Sequence, residues 1–197
     1  MLRNYSPLPT LLLPPGSGYA QPTQAALDRA QLDSPATDVM TDLTKVTAVI
    51  ILAGDTVDEA HRRMVQRGVR MLLVVDQDRK VLGVITASDV WGEKPVQIAA
   101  QQGLHRDEVL VRNCMTPCAS LQVLDLEWVL AAKVGHIVST LKQAARQHTL
   151  VVERIASGGV RLRGIFSTTQ IVRQLGINIQ TNAVANTFAE IEAQLSH

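Results

Sequence analysis

An amphipathic helix with capping signals is the first element that the hydrophobic pattern predicts. A β-rich run at residues 47–51 precedes Thr56-Val57-Asp58-Glu59, where a threonine and a glutamate three residues apart are typical of a capping box at a helix start. Apolar residues then recur every three to four positions, and Gly68 stands where a left-handed residue would close the helix. The predicted apolar face consists of Val57, Ala60, Met64 and Val65.

Two strands and a second helix complete this first unit. The apolar runs at 70–75 and 81–86 flank a polar turn at 76–79, which predicts a pair of adjacent strands. A helix is expected to begin after Thr86. The unit therefore has the order strand, helix, strand, strand, helix, which is an α/β arrangement.

The same unit occurs a second time in the chain. Three segments recur in order, and the spacing between the copies rises gently along the unit, as small loop insertions would cause. The matching segments are 39–41 with 114–116, 71–76 with 148–153, and 83–86 with 164–167. The second copy is accordingly predicted to contain a helix at 134–147, strands at 149–153 and 160–166, and a helix at 168–175.

The repeats divide the chain into four parts. A proline-rich N-terminal arm covers residues 1–34, the first repeat and its connection cover 35–110, the second repeat covers 111–177, and a tail covers 178–197. Within the connection we expect a helix that is interrupted by Pro95. The tail is predicted to form an amphipathic helix because of the spacing of Val184, Phe188, Ile191 and Leu195.

The composition is that of a globular protein, and its charge gives no reason to expect a polyanionic partner. Of the 197 residues, 46% are hydrophobic, and 19 basic side chains nearly balance 18 acidic ones, for a net charge of +1. Nucleic acid is therefore not an expected partner. No apolar run approaches the roughly 18 residues of a membrane span. Cys114 and Cys118 are too few for a disulfide framework or a four-ligand zinc site, so we expect a cytoplasmic protein with reduced thiols and no bound metal.

An ordered set of motifs resembles the CBS domain family. The set comprises Val39-Met40-Thr41, the strand ending Leu73-Val74-Val75-Asp76, and Gly83-Val84-Ile85-Thr86-Ala87-Ser88-Asp89-Val90, and the second copy resembles a tandem partner. The resemblance covers roughly residues 35–177. It implies a Bateman module, in which two β-α-β-β-α units pack their sheets around two clefts. With only short flanking segments, the protein is expected to be of the stand-alone type.

The resemblance also implies a ligand. CBS pairs commonly bind adenosine-containing molecules such as AMP, ADP, ATP or S-adenosylmethionine in their clefts. Carried over by position, Asp89 would hold the ribose hydroxyls, and Thr86 with Ser88 would contact the sugar or a phosphate. The residues that would enclose the base are Val49, Ile51, Arg70 and Met71.

The segment from Thr86 to Asp89 also has a purely structural interpretation. A threonine followed three residues later by an acidic residue is itself a helix-capping signal. The second copy retains such a capping signal but replaces the aspartate with a neutral amide, which is a weaker acceptor for a diol. We therefore expect ligand mainly at the Asp89 cleft. The residues of the degenerate second site are Ser167, Thr168, Gln170 and His148.

The motifs that would indicate catalysis are missing from the sequence. It contains no nucleophile elbow, no P-loop and no paired His and Cys arrangement, so we expect no enzymatic activity and no required cofactor. Arg161 and Arg163 share a strand face and are expected to form a solvated edge rather than a phosphate site. The expected function is that of a homodimeric sensor that binds an adenosine-containing ligand and signals in trans to an unidentified protein partner. The alternative is an interaction or scaffold protein that retains only the fold.

Overall fold

Two four-stranded sheets with flanking helices make up the described part of the chain, which in this computed structural model comprises Pro14, residues 30–156 and residues 158–176. After a 3-10 turn at Ala36–Val39, the first half contains β1 (Thr41–Asp42), β2 (Ile50–Leu52), α1 (Val57–Arg67), β3 (Met71–Val75), β4 (Val81–Thr86), α2 (Ala87–Trp91) and α3 (Lys94–Gln102). The second half contains α4 (Val111–Cys114), β5 (Thr116–Pro117), β6 (Val123–Asp125), α5 (Leu126–Leu130), α6 (Val134–Gln143), β7 (His148–Arg154), β8 (Val160–Ser167) and α7 (Thr168–Leu175), with 3-10 turns at Arg106–Glu108 and Cys118–Ser120.

The two repeats exchange their edge strands. The first sheet has the strand order β2-β3-β4-β5, and the second has the order β1-β8-β7-β6. β5 belongs to the second repeat but pairs antiparallel with β4 of the first, and β1 belongs to the first repeat but pairs antiparallel with β8 of the second. Each sheet is therefore completed by a strand from the other repeat.

Glycine permits the close approach of each exchanged strand. Gly83 lies opposite Pro117, and a Cβ atom on Gly83 would stand 2.2 Å from the carbonyl oxygen of Thr116. Gly164 allows the same close approach on β8, because a Cβ atom there would stand 2.5 Å from Sδ of Met40. Both glycines belong to the strand segment that recurs in the two repeats.

The sheets also pack against each other. All five residues of β3 are buried, because its two faces are covered by different layers. One face contributes to the cluster between the first sheet and its helices, and the other contributes to an apolar layer between the two sheets. The buried members of that second layer are Met71, Leu73, Val84 and Leu150.

The structure corrects several details of the first helix. The Thr56 hydroxyl accepts a hydrogen bond from the Glu59 amide (3.2 Å), and Gly68 ends α1 with φ +62°, as predicted. The Glu59 carboxylate does not reach back to complete a capping box; it pairs instead with Arg62 (2.8 Å) and Arg63 (2.9 Å). Val65 is 62% exposed, so its assignment to the apolar face was wrong.

Two helix boundaries also differ from the prediction. Pro95 does not interrupt a helix but lies in the first turn of α3, where its missing N–H removes no helical hydrogen bond. α6 ends at Gln143 rather than at residue 147, because the chain turns into a left-handed conformation at Ala145 (φ +49°). Apart from Pro14 and residues 30–34, the N-terminal arm lies outside the described residues, as does the predicted C-terminal helix.

Candidate functional site

A cleft of about 280 Å³ lies beside the start of α2, between the two repeats. The first repeat supplies part of β3, the end of β4 and the first turn of α2. The second repeat supplies the residues just before β6 and those just before and at the start of β7. The exchanged strand β5 contributes Thr116. The other lining residues are Met71, Val84, Thr86, Ser88, Asp89, Leu121, Gln122, Ala145, Arg146, Gln147, His148, Thr149 and Leu150.

Thr86 and Asp89 form a complete capping box at one end of this cleft. Oδ2 of Asp89 accepts hydrogen bonds from the Thr86 amide (2.8 Å) and from the Thr86 hydroxyl (2.7 Å). The Asp89 amide donates in return to Oγ1 of Thr86 (3.3 Å). Both bonds to the carboxylate use Oδ2, and Oδ1 of Asp89 accepts no hydrogen bond from the residues that the structure describes. The cap therefore fixes the carboxylate in place and leaves acceptor capacity for another donor.

The second repeat places a cation in the same cleft. Arg146 follows the left-handed residue Ala145, and its amide donates to the carbonyl oxygen of Leu141 (3.0 Å), which closes the end of α6. The side chain is half-buried, and its guanidinium makes no ion pair or hydrogen bond with any residue in the described part of the chain. Asp89 and Arg146 thus lie in one cleft without pairing with each other.

His148 lies in this cleft as an uncharged imidazole. Burial lowers its pKa, and the neighbouring Arg70 charge lowers it further, to about 4. Nε of Arg70 is itself buried and has no hydrogen-bond partner among the described residues. His148 therefore adds a polar surface to the cleft at neutral pH but no positive charge.

The residues expected to enclose a base are only partly in the cleft. Met71 lines it, whereas Val49, Ile51 and Arg70 are not among its walls. Ile51 is fully buried in the core of the first repeat, and Val49 packs against that same core. In their place the wall contains Leu121 and Gln122.

Corresponding positions in the two repeats show why the sequence prediction missed some residues of the cleft wall. β2 pairs in parallel with β3, and β6 pairs with β7 in the same register, so Gln122 before β6 corresponds to Val49 before β2. The cleft combines the helix start of one repeat with the strand entry of the other. Applying the repeat offset to Val49 and Arg70 would have found their equivalents Gln122 and Gln147, which both line the cleft.

The predicted second site is not built as a copy of the first. The Ser167 side chain makes no capping hydrogen bond, so the predicted Ser-x-x-Gln capping box was wrong. The backbone at Ser167 (ψ 128°) differs from that at Thr86 (ψ 165°), and the adjacent Thr168 hydroxyl donates instead to the carbonyl oxygen of Gln147 (3.2 Å). His148, which the sequence placed with Gln170, lies in the Asp89 cleft.

Gln170 lines a separate hollow beside β1. An ion pair between Arg163 and Asp42 forms part of this hollow, and Arg163 also contacts Glu153 (3.5 Å). Hydrogen bonds from the hydroxyl and amide of Thr44, together with Arg163, lower the pKa of Asp42 to about 2. Arg161 also pairs with Glu153, so both arginines are used in ion pairs within their own sheet.

The described residues contain no group of three or more His, Cys, Asp or Glu side chains that could hold a metal ion. Within the same residues, no helix has the length and apolarity to cross a bilayer. Cys114 is buried, which raises the pKa of its thiol, and Cys118 is exposed; both are free thiols.

Comparison with known proteins agrees with this architecture. The family model described as CBS domain matches residues 36–90. No curated protein matches the chain. Among solved structures, an uncharacterized conserved protein from Pyrococcus horikoshii is 21% identical, with a TM-score of 0.53 over 77% of this chain and 99% of that one.

Two further structures share the fold. The CBS-domain containing protein ATU1752 from Agrobacterium tumefaciens is 20% identical, with a TM-score of 0.52 over 73% of this chain and 94% of that one. CBSX2, a CBS-pair protein of Arabidopsis thaliana, was solved in complex with AMP; it is 21% identical, with a TM-score of 0.50 over 71% of this chain and 94% of that one. At these identities the likeness concerns the fold.

Proposed function

Because this chain is a CBS-domain protein with the α/β fold of a tandem CBS pair, we propose that its Asp89 cleft binds an adenosine-containing ligand of the AMP, ADP, ATP or S-adenosylmethionine class. The observation that carries the proposal is the Asp89 carboxylate, which the capping box holds in the cleft with Oδ1 still open to a donor. A vicinal diol supplies two such donors. The ribose would therefore be held by Asp89 beside the Thr86 and Ser88 hydroxyls.

The remainder of the cleft suits the remainder of such a ligand. Met71, Val84, Leu121 and Leu150 give it an apolar wall, and ligand sites typically combine such walls with a few placed polar groups. Gln122 adds an amide that can both donate and accept. The solved complex of CBSX2 with AMP gives independent support, since that protein shares this fold.

The proposed output of binding is a signal in trans. The cleft joins residues of both repeats, so a bound ligand would favour one particular arrangement of the two halves. A protein partner, or the second copy in a homodimer, would respond to that arrangement. Light scattering of the full chain tests the dimer, and a monomer at micromolar concentration would refute it.

Thermal unfolding with and without ligands tests the binding proposal. A ligand at 100 times its dissociation constant adds about 2.7 kcal/mol to the free energy of unfolding. We expect stabilisation of the wild-type chain by at least one of AMP, ADP, ATP and S-adenosylmethionine, and loss of that stabilisation in Asp89→Asn, which removes the carboxylate charge but keeps the side-chain size.

A second variant separates ligand binding from capping. Asp125 caps α5 by accepting from the Glu127 amide (3.0 Å) and lies outside the cleft. Asp125→Ala removes a cap at a cost of about 1 kcal/mol but should keep the full ligand-induced shift. If none of the four ligands stabilises the wild-type chain, the sensor proposal fails and the scaffold alternative is favoured.

A further inference from the structure

Resting on the proposed function, we infer that Arg146 is the specificity-determining residue of the Asp89 cleft, and that it selects a nucleoside monophosphate over both the neutral nucleoside and the sulfonium compound S-adenosylmethionine. Three features of the cleft support this role: a cation with no ion-pair partner in the described part of the chain, its placement relative to Asp89, and the size of the space between the walls.

Arg146 is a cation that has no ion-pair partner among the described residues. Its side chain is half-buried in the cleft wall, yet it forms no ion pair with any described residue. A guanidinium that has lost part of its hydration gains from an anion, because charge-assisted bonds to phosphate are short and frequently bidentate. The neighbouring His148 is neutral, so Arg146 supplies the positive charge among the residues that line the cleft.

The two charged groups of the cleft match the two ends of a nucleotide. Asp89 and Arg146 both line the cleft but form no salt bridge with each other, so the cleft keeps an acceptor for hydroxyls and a donor for an anion apart. A nucleoside monophosphate carries a diol and a phosphate on one ribose. S-adenosylmethionine instead carries a sulfonium directly on the ribose, where the monophosphate carries its phosphate, and its ammonium group offsets its single carboxylate. Arg146 would therefore meet a positive charge in place of the phosphate.

The repeat equivalents of these residues carry no charge. Gln170 stands where the first repeat has Asp89. Val69 stands where the second has Arg146, since each donates its amide to a helix carbonyl, Val69 to Met64 and Arg146 to Leu141 (both 3.0 Å). The carboxylate and the cation are therefore unique to their own copies, and the fold brings both to the same cleft.

The size of the cleft favours one phosphate. Its volume of about 280 Å³ is near the lower limit of small-molecule sites, which span roughly 300–1,000 Å³. A single arginine also neutralises a monophosphate more completely than a triphosphate. AMP is therefore the probe that the cleft should bind best.

Calorimetric titration of the full chain with AMP, adenosine and S-adenosylmethionine tests the inference. We expect the wild-type chain to bind AMP at least tenfold more tightly than adenosine. Arg146→Gln should abolish that preference by weakening AMP while leaving adenosine unchanged, and Arg146→Lys should restore part of it. Arg67→Gln is the matched control, because it removes the same charge from an exposed position at the end of α1 and should change neither affinity.

The outcomes distinguish the two proposals. Equal wild-type affinities for AMP and adenosine, or equal losses of both in Arg146→Gln, would overturn the role of Arg146 while leaving an adenosine site at Asp89. Tighter binding of S-adenosylmethionine than of AMP would also overturn it. Absence of binding by all three compounds would overturn the adenosine site and, with it, the assignment of Arg146.

Discussion

Ala145 ends α6 in a left-handed backbone conformation, and its replacement by glycine should stabilise the protein. Its φ of +49° is one that side-chain-bearing residues rarely adopt. The corresponding position after α1 is occupied by Gly68, with φ +62°. The same helix ending is therefore built with glycine in one repeat and alanine in the other.

The expected change in the free energy of unfolding is the balance of two opposing effects. A non-glycine residue in the left-handed region costs roughly 1–2 kcal/mol. Glycine in turn loses more conformational freedom on folding, which offsets about 0.4–1 kcal/mol of that gain. Ala145 is exposed, so removing its methyl group sacrifices little burial. Ala145→Gly should therefore raise the free energy of unfolding by about 1 kcal/mol.

Two further variants test whether the left-handed backbone causes the change in stability. Gly68→Ala should lower the free energy of unfolding by about 1 kcal/mol, and since a Cβ there would have no atom within 4 Å, the loss would reflect the backbone alone. Ala144→Gly, one residue earlier in right-handed conformation (φ −81°), should destabilise by about 0.5–1 kcal/mol. Urea denaturation measures all three. If Ala145→Gly is neutral or destabilising while Ala144→Gly behaves as expected, the left-handed strain does not exist.

Two further predictions concern strand exchange and pH. Gly83→Ala would place a Cβ against the backbone of Thr116 and should lower the free energy of unfolding by about 1–3 kcal/mol. Gly164→Ala should lower it less, because its Cβ would meet the flexible Met40 side chain. Equal losses for the two variants in urea denaturation would contradict this difference. Because the pKa of His148 is lowered from 6.5 to about 4, the unfolded state binds more protons between these values. The free energy of unfolding should fall by up to about 3 kcal/mol as the pH drops through that window. In His148→Gln this dependence on pH should be weaker. If the variant shows the same dependence as the wild type, groups other than His148 cause it.

The sequence predicted the elements whose signals are local. The cap at Thr56, the left-handed end at Gly68 and the strand pair before Thr86 each depend on residues within a few positions of one another. The repeat then extended these elements to the second copy. Both β-α-β-β-α units and the capping box at Asp89 could be predicted on this basis.

The errors arose where a local pattern was compatible with two outcomes. Val65 follows the helical spacing of the apolar residues in α1 but lies beyond the edge of the buried face. The width of that face depends on tertiary packing and not on the local sequence. Ser167 is a residue type that commonly caps helices, yet its side chain makes no capping hydrogen bond here. The adjacent Thr168 hydroxyl instead donates to the carbonyl oxygen of Gln147. The cleft walls were hardest to predict because Gln122 and Arg146 enter the Asp89 cleft from the other repeat.

Because the repeats exchange their edge strands, neither repeat contains all four strands of its own sheet. A fragment that ends before β5 would keep β4 as an open edge with unpaired backbone groups, and its own β1 would have no sheet to join. The other half would lack the strand that completes its sheet on the β8 side. Separately produced halves would therefore be complementary fragments, each with an exposed edge that the other can cover, and a substitution in β1 or β5 acts on the sheet of the other repeat.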